Sequence, residues 1–425
     1  MGRWPAVRYG LGLLRRNGGP TSEWRNWQTR QLEGLVPLGA WGFKSPLRHQ
    51  KPGGVGGTVF GTASEHARSD SWQVLLRFAP LGRTVLALVA VCALLQATGC
   101  TSDGEGDPAV ILSMDLAMGL TSGNANGTMS TPSDYDDTWA LPLLRDAPDI
   151  DLLGIVVTMG NGPLAQEMVV ARESLDRLEL DVPLIPGAAT WLPMVATEDF
   201  EGTDLSPSCV NDGVRFMAEA LGEHSDVTIL ATGPMTDVAC LLLAYPDAAS
   251  NIREVVALIG GKPGPVIYAG KPARDFNYSM DPRALSVILD ESSVPFTAVT
   301  FEASSSSALP TDIVAELAQS DDPTASYFGK ASQAYTDWWA SIFGPTKPIW
   351  DAVAVWQYLH PEDFDCGPAR YELQLGPPNL PSDRTHDWFI PDSQADSRVT
   401  ACTSFVDRAA IDRMNEAVLA SIRGD

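Results

Sequence analysis

From Ala109 to the carboxyl end of the chain, short apolar runs alternate with longer stretches whose apolar positions recur every three or four residues. The short runs predict strands near 109–114, 152–158, 227–231, 255–259 and 296–300. The longer ones predict helices near 137–146, 164–179, 213–222, 235–245, 282–291, 312–319, 324–341, 351–358 and 408–421. Strand and helix in alternation build βαβ units, so the predicted fold is α/β, with a mostly parallel central sheet flanked by helices. Val182-Pro-Leu-Ile-Pro186 reads as one further short strand, weakened by two prolines that cannot donate to a ladder. No internal repeat or low-complexity tract interrupts the pattern.

In sheets of this kind ligands sit beyond the carboxyl ends of the strands, and polar residues gather there. Asp115 follows the first predicted strand, and after a loop Asp136 and Asp137 open a helix. Asn161 follows the second strand, Thr232 the third and Gly260-Gly261 the fourth, with Asp275-Phe-Asn277, Asp281-Pro282 and Trp350-Asp351 further on. Each has an ordinary reading. Asp136 and Asp351 suit helix amino-caps, Asn161 suits a turn, and Trp350 suits a core as well as a stacking platform. Their joint recurrence at strand ends points instead to one shared pocket. Carboxylates converging there would repel strongly without a cation, and oxygen-only ligands favour a hard ion such as Ca²⁺, which takes about six to eight oxygens.

Charge separates the chain into two parts. The 425 residues carry 29 Lys plus Arg against 53 Asp plus Glu, a formal charge of −24. Residues 1–99 hold 12 basic and 4 acidic residues, a net +8, which leaves 17 basic against 49 acidic, a net −32, for residues 100–425. Such an acidic body argues against nucleic-acid binding, which relies on clustered Lys and Arg. A hydrophobic content of 44% with 19% charged residues excludes bulk disorder.

Arg77 and Arg83 precede an uncharged apolar run, 84–98, that ends in Gly99 and Cys100. The run is short for a bilayer span but suits a signal-peptide core. Leu95-Gln-Ala-Thr-Gly-Cys100 resembles a bacterial lipobox, which implies cleavage before a lipidated Cys100 and an extracytoplasmic protein anchored to the bacterial cell membrane by that lipid. An ordinary secretory signal with an incidental Cys is the other reading. Residues 101–108 read as a flexible spacer. Trp24 through Gln50 resembles the translation of a transfer-RNA gene, so residues 1–73 read as a spurious or disordered leader, with the signal peptide at 74–99 and one domain at 109–425.

Residues 109–420 resemble the calcium-dependent nucleoside hydrolases of the inosine-uridine-preferring family. The resemblance is carried by Leu152-Leu-Gly-Ile155 leading to Gly160-Asn161, Thr232-Gly-Pro-Met-Thr-Asp237, Ile259-Gly-Gly261, Asp275-Phe-Asn277, Asp281-Pro-Arg-Ala284 and Asp351-Ala-Val-Ala354. It implies an open, Rossmann-like α/β fold and hydrolysis of the N-glycosidic bond of a small-molecule nucleoside. It further implies that Asp115, Asp137, the Thr232 carbonyl and Asp351 ligate Ca²⁺, and that Asp115 is the base toward a metal-bound water. By the same resemblance Asp136, Asn161, Asp275 and Asn277 bind ribose hydroxyls, and Asp351 reaches the sugar too.

The sequence departs from the family pattern in several places. The family keeps the residue matching Asp115 four places before the Asp pair, whereas here an insertion of roughly seventeen residues separates Asp115 from Asp136, a length that loop closure tolerates. Asp134 is therefore an alternative ligand. Ser113 stands where the family often has another Asp, and Asp275 where Glu is usual. Trp350 stands where purine-cleaving members place a His, and an indole can stack on a base but not protonate it. Beyond Cys100 four cysteines follow; Cys366 and Cys402 are the expected disulfide, in a carboxyl-terminal segment read as irregular, and Cys240 is expected to be simply buried. A catalytically impaired nucleoside- or ribose-binding lipoprotein, and a hydrolase of another substrate, are the rival readings. The oligomeric state stays open, a homo-oligomer included.

Overall fold

A computed structural model describes residues 107–121, 131–192, 209–378 and 386–424. The leader, the apolar run, Cys100 and residues 122–130 of the insertion lie outside them. The strands are β1 Ala109–Met114, β2 Asp151–Val157, β3 Leu184–Pro186, β4 Val227–Ala231, β5 Ile252–Leu258, β6 Ile267–Tyr268, β7 Lys271–Pro272 and β8 Phe296–Val299. β9 Leu309–Pro310, β10 Thr346–Lys347, β11 Phe364–Gln374, β12 His386–Pro391 and β13 Val399–Phe405 complete the set.

Nine of these form one sheet in the order β12-β11-β13-β8-β5-β4-β1-β2-β3. β1 pairs parallel with β2 on one side and β4 on the other, and β5, β8 and β13 extend the parallel run. The chain thus builds outward from β1 in one direction, then returns to build in the other. β1 is buried along its whole length because both faces are covered. Val110, Leu112 and Met114 pack into one apolar core, while Ala109 and Ile111 pack into the opposite one.

The helices follow the periodicity closely. Asp136–Arg145, Leu164–Leu178, Pro323–Phe343, Trp350–Leu359 and Arg408–Arg423 cover one face of the sheet, and Asp212–Glu223, Thr236–Ala244 and Pro282–Asp290 the other. Asn211, Asp281, Asp322 and Asp407 accept hydrogen bonds from backbone N–H groups in the first turns of their helices, which sets those starts. Among the described residues no helix is long and apolar enough to cross a membrane.

Two expectations are corrected. The carboxyl-terminal segment is not irregular: it forms β11, β12 and β13, with β11 antiparallel to both its neighbours. Gly367 and Pro368 lie within β11, and most of its side chains are exposed or half-buried, so it lacks the apolar run that marks an inner strand. Cys240 is not simply a buried thiol, since it is bonded to Cys209 just before the helix Asp212–Glu223. Cys366 and Cys402 are bonded as expected, facing each other across β11 and β13. The two bridges span 31 and 36 residues. In the loop-entropy account a bridge of that span contributes about 3–4 kcal/mol. Replacing Cys209 and Cys240 by Ser should therefore lower the thermal midpoint by several degrees and remove part of the protein's sensitivity to reductant. Thermal unfolding with and without dithiothreitol checks this, and an unchanged midpoint would contradict it.

Candidate active site

The order β3-β2-β1-β4-β5 reverses direction at β1, and the crevice beyond the carboxyl ends of β1 and β4 is where such a sheet binds ligands. Asp115 leaves β1 there, Asn161 follows β2 and Thr232 follows β4. All three line a cavity of about 380 Å³ that also receives Asp136, Asp275, Asn277, Trp350 and Asp351. Every residue expected to touch the sugar or the base is thus brought to one place.

The insertion does not separate Asp115 from the pair. Ser133 N donates to the Leu120 carbonyl at 2.9 Å, clasping the base of the excursion, and Ser133 Oγ donates to the Asn161 carbonyl at 2.9 Å. Asp115 N then donates to Asp137 Oδ1 at 3.3 Å, while Asp115 Oδ2 accepts from Asn161 N at 2.8 Å. Asp115 fits against backbone on two sides, where only glycine leaves room. A Cβ on Gly160 would fall inside the Asp115 carboxylate, and one on Gly233 would lie 2.8 Å from Asp115 Oδ1.

Asp136, Asp137 and Asp351 each present an oxygen within 4.8 Å of the others. Neither Asp136 nor Asp351 caps its helix: each sits inside the first turn, and the residues at the cap positions, Tyr135 and Ile349, make no side-chain cap. Their carboxylates therefore serve the cavity. Asp137 is braced by Thr232 Oγ1 at 3.0 Å and by Asn161 Nδ2 at 3.3 Å. The Thr232 carbonyl faces the same region and accepts from Asn277 Nδ2 at 2.5 Å, a group that also donates to Leu258 O at 3.0 Å.

Asp275 lines the cavity, but both its oxygens are engaged by backbone: Oδ2 accepts from Gly260 N at 2.5 Å and Oδ1 from Tyr278 N at 2.9 Å. Asp134 is claimed by Lys347, whose ammonium lies 2.7 Å away. Ser113, where the family often has another Asp, is buried and its hydroxyl makes no hydrogen bond.

The electrostatics are those of crowded, dehydrated carboxylates. Burial first, and then Asp137 and Glu167, push Asp115 well above the usual carboxylate range. Asp136 and Asp351 are raised by burial and by their acidic neighbours, and burial lifts Asp137 to about 6 against the bonds from Thr232 and Asp115. Asp136 Oδ2 is buried and accepts no hydrogen bond. An all-oxygen set of crowded, raised carboxyls has the chemistry of a hard divalent-cation site. Asp137, Asp351, Asp115 and the Thr232 carbonyl are the groups that fit around such an ion.

Several members of the site were missed from sequence. Glu167, fully buried behind the acids, accepts from Gly162 N at 2.6 Å. Trp338, Trp339 and Phe343, with Tyr335 and Tyr268, make an aromatic wall continuous with Trp350, whose ring meets Trp339 at 5.2 Å. Tyr335, Trp339 and Phe343 recur at helical spacing within Pro323–Phe343, which was the available signal, but that spacing equally describes core. Trp350 is half-buried in this wall and donates from Nε1 to Ser305 Oγ at 3.3 Å, so it is not plain core. Among the described residues no histidine lines the cavity.

Residues 132–409 match the family model for inosine-uridine preferring nucleoside hydrolase, a match that begins within the segment parting Asp115 from Asp136 and so does not include Asp115. The chain belongs to that family. A similar curated relative is the pyrimidine-specific ribonucleoside hydrolase RihB of Escherichia coli (strain SE11), 23% identical over 244 residues, covering 54% of this chain and 77% of the relative. Among solved structures, the plant nucleoside hydrolase PpNRh1 superposes with a TM-score of 0.57 at 16% identity, over 75% of this chain and 100% of the other. The purine-preferring ribonucleoside hydrolase from Gardnerella vaginalis does so with 0.57 at 16% identity, over 74% and 100%. These structural likenesses establish the shared fold. The acids of this family member thus lie at the carboxyl ends of the central strands, where an open α/β sheet binds its ligand.

The raised acids set a pH dependence. An Asp whose folded pKa exceeds its unfolded value contributes stability that is present below the unfolded pKa and lost as pH rises through the folded one. For Asp137, lifted to about 6, that window runs from about pH 4 to about pH 6. Protein stripped of divalent ions should unfold at a lower temperature at about pH 8 than at about pH 5, as read by scanning calorimetry. A flat or rising profile in chelator would contradict the crowding.

Proposed function

We propose that the protein hydrolyses the N-glycosidic bond of ribonucleosides, with a Ca²⁺ ion held by Asp115, Asp137, Asp351 and the Thr232 carbonyl. The observation that carries this reading is the buried Asp136–Asp137–Asp351 cluster beside Asp115 at the switch point of the sheet. A bound divalent ion would supply a lowered pKa to water within its reach. Asp115 would accept the proton of an attacking water, and Gly160 and Gly233 leave its carboxylate the room. Asp136, Asn161 and Asn277 line the cavity with the acceptors and donors that ribose hydroxyls require. As the bond to the base lengthens, positive charge develops on the sugar, and these carboxylates stabilise it more in the transition state than in the ground state. Asp275 contributes through the backbone it holds as much as through the sugar, since both its oxygens already accept N–H groups. Trp350 and its aromatic neighbours offer flat faces on which a heterocycle stacks.

Incubation of the Ca²⁺-loaded protein with purine and pyrimidine nucleosides should release free ribose. Asp115→Asn should lower kcat by about 10²–10⁴-fold, the range for removing a general base. Asp137→Ala should abolish both turnover and Ca²⁺ binding by calorimetry. Retained Ca²⁺ affinity in that variant would show that the ion site lies elsewhere.

We also propose that the protein is exported and anchored by a lipid on Cys100. The apolar run 84–98 and the small residues before Cys100 support this, and so do the two disulfides, which persist in oxidising compartments. Cys100→Ser should move the protein from the membrane pellet to the soluble fraction and end incorporation of labelled fatty acid. Unaltered labelling in that variant would rule the anchor out.

A further inference from the structure

Lys347 lies in β10, three residues before Trp350, and is 1% exposed. Its ammonium is 2.7 Å from Asp134 Oδ1 and 3.3 Å from Asp136 Oδ2, and it donates to the Pro348 carbonyl at 2.8 Å. Aromatic rings close the remaining sides: the Trp350 centroid is 4.4 Å away, Tyr135 4.7 Å and Tyr335 5.5 Å. Burial by itself disfavours the charge, but Asp134 and Asp136 outweigh it and raise the lysine's pKa. Lys347 does not line the cavity, so it does not touch what binds there.

We propose that Lys347 is a positioning residue, a counter-ion built into the chain that fixes the Asp136 carboxylate toward the sugar and locks the end of the insertion, through Asp134, against the aromatic wall. The inference rests on the ribonucleoside hydrolysis proposed above. A buried ammonium is retained in a core only where its partners compensate its lost hydration, and here both ionic partners belong to the site. Five carboxylates, those of Asp115, Asp134, Asp136, Asp137 and Asp351, crowd this end of the cavity. A divalent ion offsets two of those charges. The ammonium offsets one more, shared between Asp134 and Asp136, whose Oδ2 accepts no hydrogen bond. It also meets the Trp350 ring at cation–π distance, so the sugar-facing carboxylate and the base-facing ring share one anchor point. Asp134 stands at the end of the insertion, and its ion pair makes that segment's closure depend on the same point.

The test is Lys347→Met, which keeps the stem and removes the charge. We expect kcat to fall by about 30-fold and KM for inosine or uridine to rise by about tenfold, the scale of an unpaired buried charge. Ca²⁺ affinity by calorimetry should not fall, because removing a positive charge from an acidic site does not weaken cation binding. The double variant Asp134→Asn/Lys347→Met should remain impaired, since Asp136 is still unanchored. Native KM and kcat in Lys347→Met, or recovery in the double variant to within about twofold of native, would overturn the proposal. Ca²⁺ affinity lost in parallel with activity would overturn it too, by making the lysine a general support. Should Lys347→Met fail to fold, the double variant, which removes the orphaned Asp134 charge as well, yields the same readings. If the native protein releases no ribose from any nucleoside, hydrolysis itself fails. Ribose affinity then decides: a loss in the variants supports Lys347 as the anchor, and no change refutes it.

Discussion

Like charges held in a dry interior are the constraint around which this end of the molecule is organised. Two of them about 4 Å apart cost about 4 kcal/mol at an effective dielectric of about 20, and here Asp115, Asp136, Asp137 and Asp351 are packed together with Glu167 close behind. The chain offsets this with what it has: backbone N–H groups from Asn161 and Gly162, hydroxyl and amide donors from Thr232 and Asn161, and the Lys347 ammonium. These donors also fix which way each oxygen faces. The carboxyls that remain raised mark the place where a cation relieves the rest.

The sheet makes such crowding attainable. Because β1 sits between β2 and β4, the segments leaving all three converge on one crevice, although Asp115, Asn161 and Thr232 are far apart along the chain. Rigid strands buried on both faces hold those exits in register, which loops of this length could not do by themselves. The insertion is tolerated for the same reason. Its ends are clasped at Leu120 and Ser133, so the excursion adds length without moving Asp115 from Asp137.

The cavity joins two chemistries, acids at the strand ends and aromatic rings from the helix Pro323–Phe343 and the start of Trp350–Leu359. Trp350 adjoins Asp351 in sequence, so the last acid and the flat wall arrive on a single turn of helix. Asp275 has two roles at once. Within reach of Gly260 N and Tyr278 N, it is a backbone clamp as well as a cavity residue.

Much of this was legible in the sequence. The periods of the apolar residues gave β1, β4 and the helices nearly residue for residue, because those elements are buried on faces that demand a regular pattern. The acids at the strand ends could likewise be named, since a parallel sheet places its ligands there. Three things were decided only in the tertiary structure. The strands β11 and β12 at one end of the sheet, the first largely exposed and the second largely half-buried, carry a weak apolar pattern, so pairing defines them. The bond between Cys209 and Cys240 depends on how a helix lies against the preceding loop, which local pattern does not encode. Nothing in the sequence around Lys347 marks it as part of the site. Only the closure of β10 against Asp134, Asp136 and three aromatic rings makes it a buried counter-ion, because a charge's role is set by the groups that replace its water.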